Sequence, residues 1–261
     1  RKLQQELSHH QSVPAQMVNP SPDQLNALIN LYHSGQMTKA EQACRELLHT
    51  YPQSLTVLNV FGAALVGQWQ LQPAVQVFDQ IIQLKPDYAE AYINRGNALT
   101  DLGQLEEAVA SYNKTIELKP NLAETYINRG NTLRHLGRLE AAIDSCNRAI
   151  QLQPDYAEAY INRGNALTDL GQLEAAVDSY DRAIELKPDY AEAYSNRGAV
   201  LQDLGQLRES MDSYNRAIQI QPYYAEAYYN RGVTLTELGQ LMEALDNYNQ
   251  AIGLKPDYVE A

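Results

Sequence analysis

The chain has 261 residues, a net charge of −12 at pH 7 and two cysteines. Non-specific binding to nucleic acid or to an anionic membrane surface needs clustered Lys and Arg, so this charge argues against both and favours a basic or neutral partner. Two cysteines in so long a chain exclude a disulfide-dense secreted scaffold. No apolar run approaches the ~18 residues of a membrane span, and no signal peptide is visible. We therefore expect a soluble, cytoplasmic protein.

Residues 1–20 precede the regular part of the chain and carry two prolines among many polar side chains. We predict a short helical or disordered leader there. His9 and His10 are adjacent and would point to different faces of a helix, which argues against a metal-binding pair.

From residue 21 the sequence repeats with a period of 34 residues, a length typical of solenoids. We predict seven units, at 21–54, 55–88, 89–122, 123–156, 157–190, 191–224 and 225–258, with the start of a truncated further repeat at 259–261. The first two units have diverged most, and Trp69 stands where later units have a glycine. Because a solenoid buries a continuous core between neighbouring repeats, we expect one elongated domain.

Each unit contains the signals of two helices, as the unit that begins at Pro86 shows. Asp87 and Glu90 have the spacing of a capping box, so a first helix is expected to begin near Tyr88. Gly103 is placed to close that helix in the left-handed conformation. A second apolar series follows and ends before Pro120, which cannot continue a helix.

The repeated pattern can be numbered from Ala89. It consists of Tyr92 at position 4, Gly96 at 8, Leu99 at 11, Ala108 at 20, Tyr112 at 24 and Pro120 at 32. This pattern resembles the tetratricopeptide repeat. The resemblance implies an all-α fold, a right-handed superhelical solenoid of antiparallel helix pairs.

Four residues depart from the pattern of the family or of the other units. Arg95 stands at position 7, where the family usually has Leu, and Thr115 at position 27, where it usually has Ala. We expect Arg95 to lay its apolar stem along the packed surface and keep its charge in water. Cys44 and Cys146 occupy position 24, a core position, so we interpret both as core residues.

No sequence motif of catalysis, nucleotide binding or metal binding is present. The five histidines are scattered and have no recurring Cys or carboxylate beside them at ligand spacing. We therefore expect no catalysis by this chain, no cofactor and no metal site.

The resemblance implies that positions 2, 5, 6, 9, 12 and 13 of each first helix face a groove. Position 6 is Asn in six units, and only Val60 breaks the series: Asn26, Asn94, Asn128, Asn162, Asn196 and Asn230. Position 9 is Asn in three units: Asn97, Asn131 and Asn165. Asn disfavours a helix interior by about 0.5–0.7 kcal/mol relative to Ala, so six such residues suggest a binding role in the groove. The alternative is that they form a solvated polar face without a binding role.

The column resembles the asparagine ladder in the tetratricopeptide superhelix of O-linked N-acetylglucosamine transferase, where the amides hold the backbone of an extended peptide. The motif AYINRGN carries this likeness, which covers residues 21–258 and no catalytic region. Selectivity would then come from neighbours that vary. These candidates are Ile93, Ser195 and Tyr229 at position 5, and Asp101, His135 and Glu237 at position 13.

Three functions fit these observations. The first is a protein-interaction scaffold whose groove binds an extended polypeptide through the asparagines. The second is the substrate-recognition arm of a larger enzyme, for example a glycosyltransferase, whose catalytic domain lies outside this chain. The third is a scaffold that assembles end to end with copies of itself.

Overall fold

The structure is a computed structural model that describes residues 19–256. Within that range every regular element is an α-helix. The fourteen helices are α1 (Pro22–His33), α2 (Met37–Thr50), α3 (Leu55–Val66), α4 (Leu71–Leu84), α5 (Ala89–Asp101), α6 (Leu105–Leu118), α7 (Ala123–His135), α8 (Leu139–Leu152), α9 (Ala157–Asp169), α10 (Leu173–Leu186), α11 (Ala191–Asp203), α12 (Leu207–Ile220), α13 (Ala225–Glu237) and α14 (Leu241–Leu254). The predicted leader, apart from residues 19 and 20, and the predicted further repeat at 259–261 lie outside the described residues.

The helices form pairs, one in each predicted 34-residue unit. The structure divides into two compact units, with the boundary between Lys114 and Thr115 inside α6, where the sequence led us to expect one elongated domain. Unit one contains α1–α5 and unit two contains α7–α14. In unit two the helices of a pair contact each other, and each second helix also contacts the first helix of the next pair. The predicted all-α solenoid of helix pairs is therefore confirmed.

A residue in the left-handed conformation follows the first helix of most pairs. Gly103 has φ +73° and Gly171 has φ +78°, as expected for glycines that close a helix. In the second pair the same turn is made by Trp69, with φ +56°. A side chain with a Cβ pays a steric cost in this region, so Trp69 holds a strained version of the turn.

The predicted capping box at Asp87 and Glu90 does not form. The N-cap of α5 is Tyr88, one residue later than predicted, and no side chain caps the helix. The Tyr88 N–H donates instead to the Lys85 carbonyl oxygen at 3.1 Å, so the chain enters the helix through a turn.

A capping box does occur at α1. Gln24 N donates to Ser21 Oγ at 3.3 Å, and Ser21 N donates to Gln24 Oε1 at 3.0 Å. At α1 the side chain of Gln24, three positions after the N-cap Ser21, accepts a hydrogen bond from the Ser21 backbone N–H, as the motif requires.

In six of the seven pairs a glycine at position 8 lies close against the residue at position 24, whereas the first pair has Leu28 at position 8. A Cβ added to Gly96 would lie 2.6 Å from Cε1 of Tyr112, so only glycine fits against this ring. Cys44 and Cys146 replace the tyrosine in two pairs and are fully buried, as predicted for core residues. Burial raises the pKa of both thiols to about 12, which keeps them protonated and unreactive.

The recurring arginine at position 7 joins helices rather than keeping its charge in water, so that prediction was wrong. Arg95 Nε donates to Asp79 Oδ1 on α4 at 2.7 Å, and its Nη1 donates to Ser111 Oγ on α6 at 2.7 Å. In unit two Arg163 bonds Ser179 and Asn147 in the same way. The guanidinium has enough donors to bridge the second helix of its own pair and that of the preceding pair.

Candidate functional site

The candidate site lies on the first helices, and helical geometry decides which residues share its surface. A helix turns about 100° per residue, so positions 2, 6, 9 and 13 fall within a stripe about 60° wide. We call this stripe on α7, α9, α11 and α13 the first-helix face of unit two. Successive first helices are in contact there, so their stripes lie side by side.

The position-6 asparagines lie where the sequence predicted, on the first helices. Asn94 in unit one is half-buried and Asn26 is exposed. The asparagines of unit two are all half-buried: Asn128, Asn162, Asn196 and Asn230. An amide in this setting is accessible to a ligand and still packed against its neighbours.

Asn196 and Asn94 each bond to the preceding repeat. Asn196 Nδ2 donates to Asn165 Oδ1 at 3.0 Å, and in unit one Asn94 Nδ2 donates to Asn59 Oδ1 at 3.0 Å. Since an amide offers two N–H donors and one carbonyl acceptor, one bond leaves capacity for a ligand. The column is therefore more than a freely solvated polar face.

The position-9 asparagines have an additional role that the sequence analysis missed. Tyr180 Oη donates to Asn165 Oδ1 at 2.8 Å, and Tyr112 Oη donates to Asn97 Oδ1 at 2.8 Å. These tyrosines are buried, so the amides supply an acceptor that a buried hydroxyl needs. In both repeats Asn at position 9 occurs together with Tyr at position 24, and this co-occurrence in the sequence could have indicated the hydrogen bond. In the repeat of Asn131 position 24 is Cys146, so that repeat has no such tyrosine.

The sixth pair lacks this arrangement. Tyr214 is 0% exposed and lacks the amide acceptor of Tyr180, because position 9 is Ala199. Position 12 is Gln202, which bonds instead to Thr234 and Glu237. Burial raises the pKa of Tyr214, and Ser210 beside its hydroxyl acts in the opposite direction.

A pocket of about 290 Å³ opens between α7, α9 and α11. Asn165 and Asn196 line it, together with the carboxylates of Asp169 and Asp203. Arg134 Nη1 lies 3.1 Å from Asp169 Oδ2, while Arg134 Nε is buried without a partner. The pocket thus combines amides that donate and accept with carboxylates that attract a cation.

A column of glutamates runs along position 2 of the same face. Its members in unit two are Glu124, Glu158, Glu192 and Glu226. Partial desolvation raises the pKa of Glu192, and the like charges of Glu158 and Glu226 add to that effect. Glu192 thus experiences the negative charge of its two neighbours in the row.

The six selectivity candidates differ in accessibility. Ser195 is only 1% exposed, so it cannot contact a ligand, because its position faces the neighbouring helices. Ile93 and Tyr229, also at position 5, are half-buried. The position-13 candidates are all exposed: Asp101, His135 and Glu237. Position 13 is thus the more accessible of the two for contacts with ligand side chains.

The described part of the chain contains neither a metal-binding cluster nor a helix suited to a membrane. Among residues 19–256 no group of three or more His, Cys, Asp and Glu side chains is arranged to hold a metal ion. None of the helices described is long and apolar enough to cross a membrane.

Sequence profiles of one repeat family match most of the chain. A profile described as "TPR repeat" matches residues 96–134, 164–205 and 201–238. Two further profiles are described as "Tetratricopeptide repeat". One matches residues 123–156 and 225–258. The other matches residues 77–110 and 145–178. Together the matched segments run without a gap from residue 77 to residue 258. A search of curated proteins gave no match.

Solved structures with the same repeat architecture are numerous. The MamA crystal structure is 28% identical, covers 64% of this chain and 97% of its own, and has a TM-score of 0.57. YrrB, a TPR protein, is 28% identical, covers 71% of this chain and 96% of its own, and has a TM-score of 0.55. A tetratricopeptide repeat protein from Parabacteroides merdae shares the fold at 16% identity, covers 90% of this chain and 93% of its own, and has a TM-score of 0.74. Repeat register, structure and profile matches agree, and the chain belongs to the tetratricopeptide repeat family.

Proposed function

We propose that this chain is a protein-interaction scaffold and that its first-helix face binds an extended polypeptide segment through the position-6 asparagines. The observation that carries the proposal is the amide column of position 6, half-buried from Asn94 onward, in which Asn94 and Asn196 bond to the preceding repeat and Asn196 retains a free carbonyl oxygen among the described residues. A solved relative supports it: YrrB is described as a TPR protein with an unusual peptide-binding site.

The spacing of the column suits a polypeptide main chain. Packed helices lie about 8–10 Å apart, and an extended chain advances ~3.3–3.6 Å per residue. One repeat therefore corresponds to about three ligand residues. A side-chain amide can donate to a peptide carbonyl and accept from a peptide N–H, whatever the ligand sequence.

The grip requires several repeats acting together. A single hydrogen bond contributes only about 0.5–1.5 kcal/mol net, so one asparagine alone holds a ligand weakly. Asn196 illustrates the remaining capacity: its Nδ2 bonds Asn165, and its Oδ1 accepts no hydrogen bond among the described residues. Val60 interrupts the column in unit one, where we expect the weakest contact.

The test is the triple variant Asn128→Ala, Asn162→Ala and Asn196→Ala, assayed with a fluorescein-labelled neutral 20-residue peptide of Gly, Ser and Thr. We expect affinity to fall by about tenfold or more, since three main-chain contacts are removed. A matched control removes three exposed amides that lie outside the first helices: Gln153→Ala, Gln172→Ala and Gln221→Ala.

Melting temperatures of both variants separate lost binding from lost folding. Methylation of the peptide's main-chain nitrogens should weaken binding to the unmodified protein, since it removes donors and leaves side chains alone. If the first triple binds as well as the control, or methylation has no effect, the asparagines do not hold a main chain.

Self-association is a second candidate function, favoured by α14. Several large apolar side chains on this helix are exposed, among them Leu241 and Met242. An exposed apolar stripe of this kind is typical of a surface that packs against another helix.

A further inference from the structure

The first-helix face of unit two carries negative charge on both sides of its amide column. Position 2 supplies one row of carboxylates, and position 13 supplies another in α9, α11 and α13. The seven groups are Glu124, Glu158, Glu192 and Glu226 in the first row and Asp169, Asp203 and Glu237 in the second. We call these the glutamate row and the position-13 row.

Almost nothing on this face balances that charge. Among positions 2, 5, 6, 9, 12 and 13 of the four helices, Arg134 is the sole Lys or Arg. It pairs with Asp169. The arginines at position 7 point away and are held by the second helices, as with Arg163 and Ser179. No ion pair joins Glu158, Glu192 or Asp203 to a cation among the residues described.

The pocket between α7, α9 and α11 places two of these carboxylates beside the amides. Asp169 and Asp203 line it together with Asn165 and Asn196, and Asn196 Oδ1 accepts no hydrogen bond among the described residues. An amide can bond a main chain through its N–H or its carbonyl oxygen, and a carboxylate attracts a cation. A polypeptide with basic side chains offers both a main chain and cations in one molecule.

We infer that the segment bound at this face is an extended, basic polypeptide with Lys or Arg at about every third residue. This inference rests on the proposed function, because the amide column must hold the main chain for the two rows to receive its side chains. It specifies the partner's charge pattern, which the proposed function leaves open.

The spacing of the rows follows from helix geometry. At 1.5 Å per residue, position 6 lies about 6 Å from position 2 and about 10 Å from position 13 along the helix axis. Side chains of an extended chain alternate between opposite sides. With three ligand residues per repeat, Lys at every third residue points alternately to the glutamate row and to the position-13 row.

Like charges act on one another along the glutamate row. The pKa of Glu192 is raised by desolvation and by Glu158 and Glu226, with Arg134 acting in the opposite direction. A ligand ammonium or guanidinium would relieve this repulsion. Its contribution should decrease as salt screens the charges.

The test uses four fluorescein-labelled 15-residue peptides read by fluorescence anisotropy at low and physiological salt. One has Lys at every third residue among Gly and Ser; the second has the same composition with its five Lys consecutive. The third has Glu in place of Lys, and the fourth is neutral. We expect the spaced-Lys peptide to bind at least about tenfold tighter than the Glu peptide and about threefold tighter than the clustered one.

Matched variants locate the effect on the protein. Glu158→Gln, Glu192→Gln and Asp203→Asn together should weaken binding of the spaced-Lys peptide by about tenfold. The control removes three exposed carboxylates from second helices: Glu174→Gln, Asp178→Asn and Asp212→Asn. It should change affinity by less than about twofold, because these groups lie off the face. Circular dichroism melts confirm that both variants are folded.

The possible outcomes separate the inference of a basic partner from the proposed function. If the control weakens binding as much as the first variant, or the clustered peptide binds as well as the spaced one, only the overall charge attracts the peptide and the inference is wrong. If the neutral peptide binds and the asparagine triple abolishes that binding, but the carboxylate variant leaves the spaced-Lys peptide unaffected, the proposed function stands and the basic partner does not. If no peptide binds, both are overturned.

Discussion

At the scale of single residues, the buried tyrosines at position 24 show how the amide column and the core depend on each other. Tyr180 Oη bonds Asn165 and lies 3.3 Å from Thr168 Oγ1. Tyr214 occupies the same position one repeat later and has Ser210 rather than an amide beside its hydroxyl. The two rings are equally buried, so they differ mainly in hydrogen bonding.

We expect opposite results from the same substitution at these sites. Tyr180→Phe removes satisfied hydrogen bonds and should lower the free energy of unfolding by about 1 kcal/mol. Tyr214→Phe removes a buried hydroxyl that lacks the amide acceptor, and should leave the free energy of unfolding unchanged or raise it by about 1 kcal/mol. Urea titrations followed by circular dichroism measure both. Equal losses in the two variants would show that the Tyr214 hydroxyl is bonded as well as that of Tyr180.

Residue identity alone predicted some of these roles and could not predict others. The burial of Cys146 followed from its register at position 24. The bonds of Arg95 to Asp79 and Ser111 did not, because they depend on which side chains of two other helices lie opposite it. Ser195 was placed on the ligand-contacting surface by position counting, whereas packing between neighbouring first helices buries it.

At the scale of helices, the turn after α3 has a tryptophan in a left-handed backbone conformation that favours glycine. Trp69 adopts φ +56° and is 75% exposed, while the corresponding residues of the other pairs are glycines. The left-handed region costs a residue with a Cβ about 1–2 kcal/mol, and so exposed a ring gains little from burial.

Trp69→Gly should therefore raise the free energy of unfolding by about 1 kcal/mol, partly offset by the greater freedom of glycine in the unfolded chain. Denaturant unfolding should be followed by circular dichroism. Trp69 is the one tryptophan of the chain, so its replacement removes the tryptophan fluorescence that would otherwise report unfolding. Trp69→Ala is the control: it removes the ring and keeps the Cβ, so it should gain little. A similar gain in both variants would place the cost in the indole rather than in the backbone.

The number and approximate limits of the helices could be predicted from sequence because the 34-residue register repeats its closing and breaking residues in each unit. The start of α5 could not be predicted to the residue. Asp87 and Glu90 have the correct spacing for a capping box, but the turn from Lys85 to Tyr88 moves the N-cap past Asp87. Local motifs thus identify helices more surely than they identify caps.

At the scale of the whole molecule, α14 is the described helix with the most exposed apolar surface. Leu241 is 64% exposed, Met242 75% and Leu245 52%, and Ile252 is also exposed. On α12 the equivalents of Leu241, Leu245 and Ile252 are half-buried because α13 packs over them, and the equivalent of Met242 is Arg208. The α14 face therefore has the composition of a surface that receives a further helix.

We expect this face to drive end-to-end association of the chain at high concentration, because association removes its apolar area from water. The contact joins two different surfaces, α14 of one copy and another surface of the next copy. Leu245→Glu with Ile252→Glu should reduce the concentration-dependent increase in mass seen by light scattering or sedimentation velocity. Tyr223→Glu is the matched control, because Tyr223 is 81% exposed but precedes α13 and lies off the α14 face. A polar capping helix added after Ala261 should have the same effect as the double variant. If association persists in both the double variant and the capped chain, α14 is not the surface through which copies meet.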